Sequence, residues 1–341
     1  MSDQADKDEL LLEVKNLRKH FPIRGGVFTT TKGYVKAVDG VSFYIRPGEV
    51  LGLVGESGCG KTTTGRMVVH VIEPTTGEIW FKDRNLGYVD LAQMDPRQIQ
   101  PIRKNIQMIF QDPYASLDPR MTILRIISEP LTSNKMAKGK ELEERVAFAM
   151  QAVGLRPEYM SRYPHAFSGG QRQRIGIARA LVTSPQLIVA DEPVSALDVS
   201  IQAQILNLLQ DLQKEFNLTY LFVAHDLSVV RHISNRVAVM YVGKLVEHST
   251  KKDLFSDPRH PYTEALLSSV PRPDPKRLRQ RIILAGEVAD PANPPKGCYF
   301  HPRCRYAVEM CSQIEPQLEE IDLDHWVSCH RAKELSLEGV G

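Results

Sequence analysis

The chain has 341 residues, of which 42% are hydrophobic and 25% are charged, as is ordinary for a globular protein with a buried core. Its formal net charge of +2 gives no reason to expect a nucleic-acid-binding protein, because no dominant basic face is implied. The first residues contain no signal-peptide core, and no run of about 18 apolar residues occurs, so we expect a cytoplasmic protein without a membrane span.

Two segments before residue 50 are predicted to be strands. In residues 11–17 and 38–45, apolar side chains recur with the two-residue period of a strand. The intervening residues 21–33 contain several Gly and Thr residues and are predicted to form a loop. Phe21, an aromatic residue ahead of a phosphate loop, could stack on an adenine ring or pack under a sheet, and the residues alone leave both interpretations open.

A glycine-rich loop follows the apolar run 49–54 and precedes a helical segment that begins near Thr63. This strand–loop–helix context is the one that a phosphate-binding P-loop requires. The glycines let backbone N–H groups approach an anion at a helix N-terminus. Lys61 is expected to reach the β- and γ-phosphates, and the Thr62 hydroxyl is expected to hold Mg²⁺. The alternative is a glycine-rich turn with a solvated lysine. It is disfavoured because the complete eight-residue P-loop pattern lies between a predicted strand and a predicted helix. The predicted nucleotide-binding residues are Gly55, Glu56, Ser57, Gly58, Cys59, Gly60, Lys61, Thr62 and Thr63.

The middle of the chain, about residues 112–180, is predicted to be a helical subdomain. It follows two short strands and closes with Ser168–Gln171 ahead of another helix. Ser-Gly-Gly at a helix start presents N–H groups to an anion, although such a tripeptide alone is usually a cap and turn. The predicted elements are strands at 77–81 and 106–110 and helices at 122–132, 141–154 and 172–181.

Two carboxylates end the apolar run 187–190, which is typical of a parallel strand buried on both faces. Open α/β sheets bind ligands at this end of a strand. Asp191 is expected to hold Mg²⁺, usually through water, and Glu192 to orient and deprotonate the water that attacks the γ-phosphate. A second such strand, 219–224, brings His225 to the same edge. The alternatives, a polar strand end and a structural histidine, are disfavoured by the P-loop upstream.

The C-terminal region holds four of the five cysteines, Cys298, Cys304, Cys311 and Cys329. In a cytosolic chain we expect these to bind a metal or an iron–sulfur cluster rather than to form disulfides. Their gaps of five, six and seventeen residues lack the short knuckle of structural zinc sites, and four thiolates suit a 4Fe–4S cluster. Zinc stays open as an alternative because three histidines lie nearby, namely His301, His325 and His330.

Proline-rich stretches flank the basic run 276–281 in this region. The run could contact acidic lipid headgroups or RNA, but a solvated linker is the simpler interpretation. A helix is predicted just before it, over residues 264–270.

Taken together and in this order, the motifs resemble those of the nucleotide-binding subunit of an ABC transporter over about residues 10–250. The resemblance implies that Asp191 and Glu192 are the Walker B aspartate and the catalytic glutamate. It further implies a Q-loop residue that also reaches Mg²⁺, a signature sequence with Phe167 where Leu is usual, a D-loop aspartate, a switch histidine and an adenine-stacking aromatic. These residues are, in that order, Gln111; Ser168, Gly169, Gly170 and Gln171; Asp198; His225; and Phe21.

The fold implied by the resemblance is α/β: an ABC-type P-loop NTPase domain at 1–250 with a helical signature subdomain at about 112–180, followed by a small Cys-rich C-terminal extension at 251–341. Two such subunits would face each other head to tail, each ATP lying between one P-loop and the partner's signature helix. Binding of ATP would close this dimer and hydrolysis would release it.

His260–Tyr262 and residues 297–304 are similar to the C-terminal region of dipeptide and oligopeptide importer ATPases, a family in which the four cysteines can carry a 4Fe–4S cluster. Residues 62–66 look like those of the second of the two paired ATPases. The resemblance implies an ATP-hydrolysing subunit at the cytoplasmic face of the membrane. It would pair with a homologous ATPase beneath two transmembrane permease subunits, which an external binding protein supplies with peptides.

Three alternatives stay open. The first is an importer of the same type for a nickel chelate, glutathione or an oligosaccharide. The second is a soluble ABC ATPase that acts on ribosomes or DNA, which is disfavoured because the chain has neither two nucleotide domains nor a long coiled coil. The third is a cluster-assembly or redox protein with an attached ATPase.

Overall fold

The computed structural model of the chain describes residues 9–25, 30–270 and 282–340. The basic run at 276–281, the first linker prolines and part of the predicted loop at 26–29 lie outside the described residues. The strands are β1 (Leu12–Gly25), β2 (Thr30–Ile45), β3 (Val50–Val54), β4 (Thr76–Asp83), β5 (Gly87–Asp90), β6 (Ile106–Ile109), β7 (Leu187–Asp191), β8 (Thr219–Ala224), β9 (Arg236–Tyr241), β10 (Lys244–Thr250), β11 (Glu319–Asp322) and β12 (His325–Val327). The α-helices are α1 (Lys61–Val68), α2 (Pro96–Ile99), α3 (Ile123–Ser133), α4 (Gly139–Ala152), α5 (Gly169–Leu181), α6 (Val199–Phe216), α7 (Leu227–Ile233), α8 (Lys251–Ser256), α9 (Pro261–Ser268) and α10 (Glu309–Gln313).

The strands form two sheets. The smaller sheet has the order β2-β1-β4-β5, and the larger has the order β11-β12-β10-β9-β3-β8-β7-β6. In the larger sheet, β6, β7, β8, β3 and β9 pair in parallel, so their carboxyl ends lie along one edge. Strands β3, β7, β8 and β9 are buried along their whole length, as the continuous apolar runs predict for parallel strands covered on both faces. Every described helix is too short or too polar to cross a membrane.

The first two strands are longer than the sequence pattern predicts. β1 and β2 form one antiparallel hairpin that stays paired from Leu12 opposite Ile45 to Gly25 opposite Thr30. The predicted loop at 21–33 is therefore wrong for the described residues. The cause is that ladder hydrogen bonds between the main chains do not require alternating apolar side chains, and register shifts accommodate the irregular segment.

Three helices form a layer beside the larger sheet, close to the predicted positions. α3, α4 and α5 pack against one another, and their buried residues include Ile127, Val146 and Ile175. These residues belong to the same hydrophobic cluster as Val50 and Phe222 of the sheet. The helical segments predicted from periodicity are confirmed, whereas the subdomain bounds stay a prediction.

The C-terminal residues continue the larger sheet. β11 and β12 form a hairpin, and β12 pairs with β10 at the sheet edge. Glu247 of β10, which is paired with Val327 of β12, is 0% exposed. Its carboxylate accepts the backbone N–H of Arg259 at 2.7 Å and of His260 at 3.0 Å, and it lies 2.8 Å from Nε2 of His325. A buried carboxylate with three partners fixes the C-terminal residues to the larger sheet.

His260 is a buried histidine that the fold keeps neutral. Its Nδ1 accepts the backbone N–H of Tyr262 at 3.0 Å, at the start of α9. Burial lowers the pKa of His260 to about 3. Because the unfolded chain binds this proton near pH 6.5 and the folded chain does not, lowering the pH from 6.5 toward 3 favours unfolding. We expect His260 to decrease the free energy of unfolding by about 1.4 kcal/mol for each pH unit in that range.

The measurement is urea unfolding at pH 7.5 and pH 5.5. His260→Asn keeps a side-chain acceptor at the helix start and removes the titrating ring, so the decrease in stability on acidification should be smaller in this variant. The exposed His165→Asn serves as the control and should lose stability as the wild type does. A pH dependence identical in His260→Asn and wild type would contradict the prediction.

Candidate functional site

The P-loop connects β3 to α1 at the carboxyl edge of the larger sheet, and two of its glycines lie against neighbouring backbone. A Cβ atom on Gly55 would stand 2.1 Å from the carbonyl oxygen of Met240, and one on Gly60 would stand 2.2 Å from that of Ala37. Only glycine fits such an approach. The two glycines therefore bring the loop into direct contact with β2 and β9.

Lys61, the first residue of α1, points back into the loop. Its side chain is nearly buried, at 4% exposure. Its Nζ donates to the carbonyl oxygens of Gly55 at 2.8 Å and Glu56 at 3.0 Å, and it lies 3.7 Å from Sγ of Cys59. The loop backbone thus holds the ammonium group where the sequence predicts a phosphate contact.

Thr62 and Asp191, the two residues predicted to hold Mg²⁺, are in direct contact. Oγ1 of Thr62 donates to Oδ1 of Asp191 at 2.8 Å. Asp191 ends β7 and is 1% exposed, and burial raises the pKa of its carboxyl against the opposing effect of the Thr62 hydrogen bond. A hydroxyl and a carboxylate are the hard oxygen ligands that Mg²⁺ prefers, so the pair fits this ion.

Glu192 contacts two residues that, like itself, come after neighbouring strands of the larger sheet. Its Oε2 accepts from Nε2 of Gln111 at 3.0 Å and lies 3.1 Å from Nδ1 of His225. Gln111 follows β6, Glu192 follows β7 and His225 follows β8. The φ of Glu192 is 44°, a left-handed value that residues other than glycine adopt rarely and that concentrates at functional sites. This turn directs the carboxylate over the sheet edge.

One open pocket contains most of these groups. Sequence reasoning missed Ala37, which lies on β2 and carries no chemical signal, although its carbonyl contacts the P-loop. Gly55, Glu56, Cys59 and Asp191 are not among the residues that line this pocket, and Asp191 instead lines a neighbouring cleft. The residues lining the pocket are Ala37, Ser57, Gly58, Gly60, Lys61, Thr62, Thr63, Gln111, Glu192 and His225.

The other predicted nucleotide-binding residues lie outside this pocket. Ser168 caps the N-terminus of α5 with a capping box, in which its N–H donates to Oε1 of Gln171 at 3.0 Å and its Oγ accepts the N–H of Gln171 at 3.4 Å. Asp198 is the residue before α6. Phe21 lies on β1, 38% exposed, with Nζ of Lys19 at 5.2 Å from its ring centroid.

The four C-terminal cysteines line one small cavity together with His301 and His330. Nevertheless, no group of three or more His, Cys, Asp or Glu residues in the described ranges is placed to hold a metal ion. The predictions of a 4Fe–4S cluster and of zinc are therefore wrong.

The physical reason lies in the thiols and in the nearby histidines. Burial raises the pKa of Cys298 to about 11 and that of Cys329 to about 12, so a metal ion would have to displace a proton from each of these buried thiols in order to bind. The histidines have other partners: His301 binds the Cys298 carbonyl, His325 contacts Glu247 and His330 binds the Ile314 carbonyl.

Comparison with known proteins agrees with the nucleotide pocket. Residues 38–195 match the family described as ABC transporter, and residues 246–311 match the family described as oligopeptide/dipeptide transporter, C-terminal region. The oligopeptide transport ATP-binding protein AppF of Bacillus subtilis is 54% identical over 329 residues, covering 96% of this chain and 98% of that protein. The dipeptide transport ATP-binding protein DppF of Haemophilus influenzae is 49% identical, covering 96% and 99%. The ATP-binding cassette MJ0796, solved as a dimer bound to ADP and Pi, is 28% identical with a TM-score of 0.61 over 70% of this chain and 98% of that chain.

Proposed function

Because this chain belongs to the family of ABC transporter ATP-binding proteins that includes oligopeptide and dipeptide transport proteins, we propose that it hydrolyses ATP to power peptide uptake across the cytoplasmic membrane. The observation that carries the catalytic part of the proposal is the contact of one Glu192 oxygen with both Gln111 and His225, beside the P-loop. This arrangement fixes a carboxylate next to a cradle of backbone N–H groups and a lysine.

In this mechanism, Lys61 and the loop N–H groups bind the β- and γ-phosphates of ATP. Thr62 and Asp191, with Gln111, would hold Mg²⁺, and the ion would supply positive charge beside the phosphates. Glu192 orients the attacking water and accepts its proton. Gln111 and His225 both engage Oε2 of Glu192, so we assign Oε1 to this water.

We further propose that the signature residues Ser168–Gln171 and Asp198 act on ATP bound to a paired, homologous ATPase subunit. Two features support this role: the capped N-terminus of α5 lies outside this chain's own nucleotide pocket, and the related cassette MJ0796 is dimeric. Phe21 is proposed to stack on adenine because of its place in the motif order and its exposed ring.

A cleft between α1, β6 and α3 is the proposed docking site of the transmembrane permease subunits. It reaches from the surface residue Val71, which is 64% exposed, to Gln111 and Asp191 in the nucleotide site. A permease segment in this cleft would contact Phe110, next to Gln111, and so sense the occupancy of the site. The chain would then lie peripherally on the cytoplasmic face of the membrane. We divide it into a nucleotide-binding domain at 1–250 and a C-terminal region at 251–341.

The test of the transport proposal is peptide uptake in cells that lack this chain. We expect accumulation of a radiolabelled dipeptide or oligopeptide to be lost and to return with the wild-type chain but not with Glu192→Gln. Uptake of a nickel chelate, glutathione and an oligosaccharide is measured in parallel. Normal peptide uptake with loss of one of those solutes would favour an importer for that solute. Normal uptake of all of them, together with sedimentation of the chain with ribosomes, would favour a non-transport ABC ATPase.

A further inference from the structure

Glu56, the second residue of the P-loop, is held by the C-terminal region through both its main chain and its side chain. Its backbone N–H donates to the hydroxyl of Tyr262 at 2.9 Å. Its two carboxylate oxygens accept from Nη1 of Arg303 at 2.8 Å and from Nη2 at 3.2 Å. Such a two-pronged pair fixes the relative orientation of both groups as well as their charge.

The same residue contacts the lysine of the nucleotide site. The carbonyl oxygen of Glu56 accepts from Nζ of Lys61 at 3.0 Å. A single residue therefore separates the two C-terminal anchors from the ammonium group proposed to bind the phosphates. Any displacement of Glu56 moves an acceptor of Lys61.

Both anchors are themselves rigidly packed. Tyr262 is 0% exposed, and its ring centroid lies 4.8 Å from that of Tyr241 and 5.4 Å from that of Phe300. Tyr241 ends β9, next to Met240, whose carbonyl contacts the P-loop. These aromatic contacts keep the Tyr262 hydroxyl at a fixed position above the loop.

Arg303 differs from a solvated surface charge. Its side chain is 8% exposed, and its Nη1 also reaches the hydroxyl of Tyr241 at 3.5 Å. It belongs to the short turn His301–Arg303, which the cysteine-bearing segment provides. An exposed ion pair contributes little, but a nearly buried guanidinium with two bonds to one carboxylate restricts the motion of that carboxylate.

We propose that Tyr262 and Arg303 are positioning residues of the nucleotide site, which hold Glu56 so that Lys61 and the loop backbone are preset for phosphates. This inference rests on the proposed ATP-binding function and extends it. The C-terminal region lies after the nucleotide-binding motifs in the sequence, yet through Glu56 it determines the affinity of the site for nucleotide. The preset loop reduces the ordering that binding would otherwise require.

The test is ADP binding to the full-length chain, measured by titration calorimetry. Arg303→Met removes the pair with Glu56, and Tyr262→Phe leaves the Glu56 N–H without its acceptor. We expect each to weaken ADP binding by roughly tenfold, as for the loss of a partly buried hydrogen-bonded contact. Arg303→Lys, which keeps the charge but not the fork, should restore part of the affinity.

Arg305→Met is the matched control. Arg305 lies in the same segment and pairs with Glu264 at 3.0 Å, within the C-terminal region. This variant should bind ADP as the wild type does, and its thermal unfolding shows what a lost ion pair in this region costs in stability. An equal loss of ADP affinity in Arg305→Met and Arg303→Met would overturn the inference, because it would show a general structural effect.

A double-variant cycle tests whether Arg303 acts through Glu56. If it does, the affinity of the double variant Glu56→Gln, Arg303→Met for ADP should equal that of whichever single variant binds ADP less tightly. Losses that simply add would contradict this route. If Arg303→Met does not fold, Arg303→Lys and Glu56→Gln carry the same comparison. A wild-type chain that fails to bind ADP refutes the proposed function itself, whereas wild-type affinity in both Arg303→Met and Tyr262→Phe overturns only this inference.

Discussion

Replacing Glu192 with glutamine is expected to abolish ATP turnover while ATP binding is retained. The amide oxygen of glutamine can still accept from Gln111 and His225, so the local geometry is preserved. It cannot accept a proton from the attacking water, and loss of a positioned general base typically lowers the rate by roughly 10²- to 10⁴-fold. Calorimetric titration with ATP and single-turnover phosphate release separate the two properties.

The matched control is Glu215→Gln, the same chemical change at an exposed position on α6. It should bind and hydrolyse ATP at wild-type levels. Near-normal hydrolysis in Glu192→Gln would mean that another group is the base. Loss of ATP binding in that variant would instead show that the Glu192 carboxylate is needed to keep the nucleotide pocket in its binding geometry.

Replacing Asp191 with asparagine is expected to uncouple the site from Mg²⁺. In the wild type, nucleotide should bind more tightly with Mg²⁺ than with a chelator present, because Asp191 and Thr62, which are in direct contact, are the proposed oxygen ligands of the ion. In Asp191→Asn this difference should largely disappear. The value of kcat/KM should fall by on the order of 100-fold or more, since such an ion supplies several kcal/mol of charge stabilisation.

Two changes at the neighbouring hydroxyl serve as controls. Thr62→Ser keeps the hydroxyl and should preserve the effect of Mg²⁺, whereas Thr62→Val removes it and should resemble Asp191→Asn. The readout is the ratio of ADP dissociation constants with and without Mg²⁺. An unchanged ratio in Asp191→Asn would exclude this residue from the ion site.

The nucleotide pocket was accessible from sequence because its signals are local. The apolar runs ahead of Gly55, Asp191 and His225 identify parallel strands, and parallel strands place their following residues at one sheet edge. The structure brings Gln111, Glu192 and His225 together there. The resemblance to ABC transporter ATP-binding subunits is confirmed by relatives that span nearly the whole chain.

The errors arose where the deciding contacts are distant or invisible in a pattern. The hairpin of β1 and β2 depends on main-chain pairing, which the Gly and Thr residues of 21–33 conceal. The spacing of the cysteines suggested a metal, but spacing along the chain does not report how side chains are placed in the fold, and no group of three or more His, Cys, Asp or Glu residues in the described ranges is placed to hold a metal ion. The contact between Glu56 and Arg303 joins residues 247 positions apart, and no local sequence pattern predicts it.

During synthesis, Glu247 leaves the ribosome 78 residues before His325, its partner in the folded chain. At about 5–20 residues per second, this interval lasts on the order of 4 to 16 seconds. Throughout it, β10 pairs with β9 on one side only, its other side is able to join a strand of another chain, and Glu247 lacks the His325 ring. Pairing of β12 with β10 therefore removes a strand side that is open to misassembly during synthesis.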